Sequence, residues 1–381
     1  MSRIGIITLV KVNNYGAELQ AFATQKVIEL LGYDSEIIDY PYYKDKRYKL
    51  TKGSRPVFSF SFKDKILEFL YPKYIWVKTL FSGYKENKQR VENFNLFHKL
   101  NTKFSKEYIT AESLYQGMDY DAYIVGSDQV WNPYNYTSLD PYFLKFAPAD
   151  KKRISYASSI GVSSIPSYAF NYYKEGWQSF DSISVREENA VKIVKDISGK
   201  DAKWVLDPTL LLDLSEWRKV SSPVPGVKGN YLLIYEITPC PYIKDVAKAI
   251  AAEKHLCIIR INADSARKEP DSEILNIRNA GPSEFVWLFD HASFVVTNSF
   301  HGTAFSINMN KEFLVVTPSR KNNNSRQKSL LGLFDLTSRL IQENQNFQVN
   351  DLEAINYYTV NTKLETERAK CIDFLKSSID G

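Results

Sequence analysis

Phe294-Val-Val-Thr-Asn-Ser-Phe-His301-Gly-Thr-Ala-Phe-Ser306 sets an apolar strand, a polar turn with one histidine and a helix start in direct succession. In a chain that alternates strands with helices, the carboxyl end of a parallel strand opens onto the crevice where substrates bind. The helix that follows presents unpaired backbone N–H groups suited to an anion. His301 stands at that junction, so the segment reads as a ligand site in an α/β fold. Two roles fit the histidine: contact with a phosphate or carboxylate, and a hydrogen-bonded turn residue.

Outward from this segment the same alternation recurs. A strand at about residues 3–9 leads through Lys11-Val-Asn-Asn-Tyr15-Gly16 into a helix with Leu19, Phe22, Ala23, Val27 and Leu30 on one face and Gly32 as its stop. A second strand follows near Glu36 to Asp39. Strands at Asp121–Gly126, Arg153–Ser158, Ser182–Val185 and Trp204–Leu206 are expected to complete one sheet. Between Ser215 and Gly229 the composition turns to Ser, Pro, Gly and Lys, and a new strand opens at Tyr231–Ile237. Helix 242–254, strand 255–261, helix 283–290, strand 294–297, helix 302–310 and strand 313–317 follow, with a last amphipathic helix at 362–378. A chain of 381 residues exceeds the roughly 250–300 at which single cores stop growing. The expected organisation is an N-terminal domain 1–214, a linker 215–229, a C-terminal domain 230–361 and a C-terminal helix 362–381.

Charged residues make up 24% of the chain, and no stretch approaches the ~20 apolar residues of a membrane helix. Ile4-Gly-Ile-Ile-Thr-Leu9 reads as a first strand rather than a secretion leader, so the cytoplasm is the expected compartment. Cys240, Cys257 and Cys371 are widely spaced and odd in number, which fits reduced thiols. His98, His255 and His291 lack ligand spacing to any Cys or carboxylate pair, so no metal site is expected. The first strand-to-helix turn lacks a full G-x-G-x-x-G, which argues against NAD. No cofactor is expected.

Lys44 to Arg90 holds 13 Lys or Arg against 4 Asp or Glu, an excess of 9 in a chain whose formal total is +5. Ten aromatic residues, from Tyr48 to Tyr84, accompany that charge. The stretch suits a peripheral contact with anionic lipid at the inner face of the membrane or the clasping of an anionic acceptor, and it equally suits a solvated helical insertion. No nucleic-acid-binding motif accompanies it, so nucleic acid is not an expected partner.

The motifs together resemble the polysaccharide pyruvyl transferase family over nearly the whole chain. They are Gly5-Ile-Ile-Thr with Asn14-Tyr-Gly-Ala-Glu-Leu-Gln-Ala21; Val125-Gly-Ser-Asp128-Gln129-Val-Trp131-Asn132; Ser155-Tyr-Ala-Ser-Ser-Ile-Gly161; Ser184-Val-Arg186-Glu-Glu-Asn-Ala190; Val205-Leu-Asp207-Pro-Thr209; Gly281-Pro-Ser-Glu-Phe285; and Thr297-Asn-Ser-Phe-His301-Gly302. The resemblance implies two Rossmann-like domains facing each other across a cleft, in a GT-B-like arrangement. It also implies phosphoenolpyruvate as donor and a sugar with two suitably placed hydroxyls as acceptor, lipid-linked or nucleotide-linked, within a surface polysaccharide precursor.

Ketal formation requires protonation of the enol methylene, stabilisation of an oxocarbenium-like carbon, acceptance of hydroxyl protons and departure of phosphate. His301 with Gly302 suits the donor side. Arg186 stands between a strand and a helix, where its fork fits either the donor's anionic groups or a salt bridge to a neighbour such as Glu187. The resemblance implies an arginine two positions before the histidine; Ser299 stands there instead. Arg326 or Lys321, from the basic loop Arg320-Lys-Asn-Asn-Asn-Ser-Arg326, replaces that cation, or the donor site is weaker or altered. Asp128 fits a base for a sugar hydroxyl or a turn cap, and Gln129 and Trp131 offer a polar edge and a stacking face. Asn14, Tyr15 and Gly16 fit the cleft edge, or a simple helix cap by Asn14.

Two further functions fit the same features. A glycosyltransferase of this architecture would take a nucleotide sugar, and a non-catalytic glycan-precursor-binding protein would keep the acceptor side without the donor clamp. For the basic stretch, neutralising Lys44, Lys46, Arg47, Lys49 and Lys52 together is expected to weaken sedimentation with anionic vesicles, more at low salt than at high. Unchanged sedimentation removes the membrane reading.

Overall fold

The computed structural model describes residues 2–44, 84–134, 139–262, 271–319 and 324–381. Most of the basic stretch and Lys321 lie outside the described residues. The chain divides into two compact units. Among the described residues the first takes in those up to 44, from 101 to 211 and from 367 onward; the second takes in those from 84 to 100 and from 212 to 366.

In the first unit the described strands β1 (Arg3–Ile7), β2 (Asp34–Asp39), β3 (Phe104–Glu107), β4 (Ala122–Val125) and β5 (Lys152–Ser155) form a parallel sheet in the order β3-β2-β1-β4-β5. The interior strand β4 is buried at every position, as expected of a parallel strand covered on both faces. The order reverses between β1 and β4, the switch point at which doubly wound sheets bind ligands.

The expectation of one continuous sheet is corrected at its far side. Residues β6 (Ser184–Val185) and β7 (Lys203–Trp204) form their own two-stranded parallel ladder, whose strand pairing with the β5 region is limited, among the described residues, to the isolated bridges Ile154 to Ser182 and Ser158 to Val185. Serine hydroxyls take the place of a regular ladder there. Ser155 Oγ donates to the Ser184 carbonyl at 2.7 Å and Ser184 Oγ donates to the Ser155 carbonyl at 2.8 Å. Each hydroxyl also accepts a backbone N–H, from Ser184 and Ala157 respectively.

The second unit repeats the arrangement. Among described strands the order is β10 (Ile274–Ile277), β9 (Cys257–Asn262), β8 (Tyr231–Glu236), β11 (Phe294–Thr297), β12 (Glu312–Thr317) and β13 (Leu340–Gln342), all parallel. Both β8 and β11 are fully buried, and they flank the switch point of this sheet. Two Rossmann-like domains in an α/β chain are thus present, as the sequence leads one to expect.

The boundary between the units falls after Leu211. Within the Ser- and Pro-rich region, the helix Leu214–Lys219 is capped by Asp213 and buries Trp217 against Phe305, ring centroids 4.9 Å apart. The last helix runs from Tyr357 to Asp380. Its second half belongs to the first unit: Leu206 N donates to Cys371 Sγ, Lys152 Nζ donates to the Ile379 carbonyl, and Tyr33 Oη donates to Asp380. No helix among the described residues is long and apolar enough to cross a membrane.

Candidate functional site

At the first switch point, Thr8 follows β1 and Gly126 follows β4. Thr8 Oγ1 donates to the Ser127 carbonyl at 2.7 Å and accepts from Gln20 Nε2 at 2.9 Å. A Cβ at Gly126 would lie 3.1 Å from Thr8 Cβ, so the strand ends approach closely because this residue has no side chain. The next loop is wound tightly, with Lys11 at φ 57° and Asn13 at φ 52°. Buried Glu18 holds it, accepting from Lys11 N at 3.2 Å and Val12 N at 2.9 Å. Asn14 caps the helix Tyr15–Leu30, its side chain accepting from Ala17 N at 3.2 Å. Tyr15 and Gly16 are buried within the helix.

Arg186 follows β6 and is enclosed, its side chain fully buried. Nη1 donates to Asp207 Oδ2 at 2.9 Å and to Ser127 Oγ at 3.2 Å; Nη2 reaches Asp128 Oδ1 at 3.3 Å. Asp207 is filled in turn: Ser127 Oγ donates to Oδ2 at 2.7 Å, while Thr209 N and Oγ1 donate to Oδ1 at 3.0 and 2.7 Å. Burial works against the arginine charge, yet Asp207, Asp128 and Glu187 together hold its pKa above the ordinary arginine value. Asp128 is the exposed edge of this cluster, 16% accessible, and sits at φ 74°. A β-carbon residue in the left-handed region is uncommon, and such strain gathers at functional positions.

Trp131 requires a correction. It is fully buried, stacked on Phe143 and edge-on to Trp177 and Phe180, with its indole N–H donating to the Tyr142 carbonyl at 2.9 Å. It is a core residue of the first unit and offers no face to a sugar. Gln129 is half-buried, and its Oε1 accepts from Asn132 Nδ2 at 2.7 Å.

In the second unit the quoted segment forms β11, a polar turn and the helix Phe300–Asn308. Ser299 is the N-cap: its Oγ accepts from Gly302 N at 3.2 Å, and its N–H donates to Thr297 Oγ1 at 3.0 Å. Asn298 locks the neighbouring strand end, accepting from Ile237 N at 2.9 Å and donating to the Thr238 carbonyl at 2.6 Å. His301 lies in the first helical turn, 7% exposed, with its ring edge-on to Phe300. A Cβ on Gly302 would come within 2.4 Å of Thr297 Oγ1 and 3.1 Å of Tyr235 Cδ1. Glycine therefore lets this helix start seat directly on β8 and β11. Arg326 sits half-buried in the first turn of the helix Ser325–Leu333 rather than in a loop, and its neighbour Gln327 donates to the Asn298 carbonyl at 3.2 Å.

The sequence pattern of the family described as Polysaccharide pyruvyl transferase matches residues 14–320. The chain belongs to this family. The structure resembles Arabidopsis thaliana UGT89C1 complexed with UDP-L-rhamnose, at 13% identity over 99% of each chain with a TM-score of 0.52. It also resembles UDP-GlcNAc 2-epimerase from Methanocaldococcus jannaschii, at 11% identity over 96% of this chain and 92% of the other with a TM-score of 0.43. The likeness to UGT89C1 bears on the fold alone. No curated protein matches the chain.

In this pyruvyl transferase family member the predicted residues gather at two strand-end sites. Asn14, Asp128, Gln129 and Arg186 stand at or beside the strand ends of the first unit, and Ser299, His301 and Gly302 share one turn of the second. Besides those of Trp131 and Arg326, two readings change. Arg186 is occupied by Asp207 and Asp128 rather than by Glu187 or an open site, and Ser299 is a helix cap. Glu18 and Asn298 were not singled out by sequence reasoning, and Asp207, inside a quoted motif, was given no partner. Asp207 precedes a proline and reads as a turn, and Asn298 lies inside the quoted segment without charge to mark it. Replacing Arg186 by methionine leaves Asp207 buried without its cation, so urea unfolding is expected to show a loss of about 3–5 kcal/mol. An unchanged midpoint contradicts the enclosed ion pair.

Proposed function

We propose that this family member moves the enolpyruvyl group of phosphoenolpyruvate onto two hydroxyls of a sugar in a surface polysaccharide precursor. The family match over residues 14–320 carries the reading, because it spans the strand-end residues of both units. The second unit takes the donor. The start of the helix Phe300–Asn308 favours an anion, His301 stands in its first turn, and Arg326 supplies a nearby cation in place of the arginine missing at Ser299. The first unit takes the acceptor, with Asp128 accepting a hydroxyl proton.

The reaction balances as follows. A proton adds to the methylene carbon of the donor, which becomes a methyl group, and one sugar oxygen bonds to the adjacent carbon. The bond from that carbon to the phosphate oxygen breaks, phosphate leaves with the electron pair, and the second sugar oxygen bonds in its place. Of the two hydroxyl protons lost, one balances the new methyl hydrogen and the other leaves with phosphate. Attack is direct, without a covalent intermediate on the protein.

The fold likeness to UGT89C1 favours a second reading, a glycosyltransferase that takes a nucleotide sugar. Isothermal titration separates the two. Saturable binding of phosphoenolpyruvate, lost in His301→Ala and retained in Asp128→Asn, is expected, with turnover in Asp128→Asn lowered roughly 10²–10⁴-fold. Binding of a UDP-sugar with none of phosphoenolpyruvate overturns the proposal in favour of the glycosyltransferase.

A further inference from the structure

Glu187 follows Arg186 and is 2% exposed. It occupies the N-cap position of the helix Glu188–Ser198, yet its side chain takes no part in the cap. The carboxylate turns instead to the loop after β5, where Oε1 accepts from Ser159 Oγ and, at 3.1 Å, from Gly161 N. That loop in turn grips the loop after β4. Ser159 N donates to the Asp128 carbonyl at 2.9 Å, and the Ser159 carbonyl accepts from Trp131 N at 3.2 Å. A Cβ at Gly161 would lie 2.3 Å from Gln129 Oε1, so the two loops touch with no room to spare.

The other carboxylate oxygen, Oε2, is buried and has no hydrogen-bond partner. A buried carboxylate with half its accepting capacity unused is a poor stabilising element. Departures of this kind gather where function requires them. Asp128 holds its left-handed backbone with bonds from its own loop, Val130 N to its carbonyl and Gln129 N to its Oδ1, and with two from other segments, Arg186 at its side chain and Ser159 N at its carbonyl.

We infer that Glu187 is a positioning residue for Asp128, fixing the backbone of the β4 loop through Ser159 and Gly161. The catalytic part of this inference rests on the proposed role of Asp128. Hydrogen exchange of the full-length protein tests the structural part without any substrate. Glu187→Ala is expected to speed exchange of amides 127–132 about tenfold or more, leaving β8 and β11 unchanged. Glu187→Gln keeps an oxygen that can accept both donors and is expected to match the wild type.

In turnover, Glu187→Ala is expected to lose roughly tenfold or more in kcat with the KM for phosphoenolpyruvate unchanged, and Glu187→Gln to restore it. Should Glu187→Ala fail to fold, Ser159→Ala removes one of the same bonds from its other end and carries the same expectation. Wild-type exchange at 127–132 in the alanine variants overturns the inference, as does equal impairment of Glu187→Ala and Glu187→Gln. A wild-type protein that never turns over phosphoenolpyruvate overturns the proposed reaction, and the exchange comparison still decides Glu187.

Discussion

Arg186 sits between Asp207 and Asp128 with its side chain wholly out of water, and the strand ends of the first unit depend on that placement. Three segments meet there: Ser127 and Asp128 after β4, Arg186 after β6, and Asp207 after β7. Removing a charge partner from such a cluster costs far more than an exposed ion pair contributes, because the remaining ion keeps its desolvation penalty. The cluster therefore fixes where Asp128 projects. It also pairs the arginine for which the sequence left both a donor contact and a salt bridge open.

The second unit solves the same placement problem with short polar side chains. Thr297, Asn298 and Ser299 satisfy the backbone at the end of β8 and the start of the helix after β11, and Gly302 allows that helix to seat on β8 and β11. His301 is thereby held on a rigid element rather than on a loop. Where this sequence has Ser299, the turn gains a capping hydroxyl and has no cation. Arg326, which the proposal uses for that cation, lies in the first turn of the helix Ser325–Leu333.

The fold was legible where burial is two-sided. Tyr231–Glu236 and Phe294–Thr297 carry continuous apolar runs because helices cover both faces of their sheet. The edge strands β3, β10 and β13 were missed, since Phe104-Ser-Lys-Glu107 is half-exposed and charged, and Ile274–Ile277 and Leu340–Gln342 are short and only partly buried. The separation of β6 and β7 from the main sheet was not legible, because the serine hydroxyls that link β5 to β6 follow no periodicity. At the site, the segment around His301 was read in its correct setting from strand, turn and helix signals. Trp131 was misread because a tryptophan beside Gln129 looks like an exposed platform until Trp177 and Phe180 are seen packed against it. Arg186 and Asp207, 21 residues apart, gave no local sign of pairing.

The central claim is that carbon moves from phosphoenolpyruvate to a sugar on this scaffold. Incubation with phosphoenolpyruvate labelled at its central carbon and a panel of lipid-linked and nucleotide-linked sugars, followed by mass spectrometry, tests it directly. The account predicts label in a sugar ketal in stoichiometric step with released phosphate, and its loss in His301→Ala. Phosphate release without labelled sugar, or labelled product undiminished in His301→Ala, would contradict it.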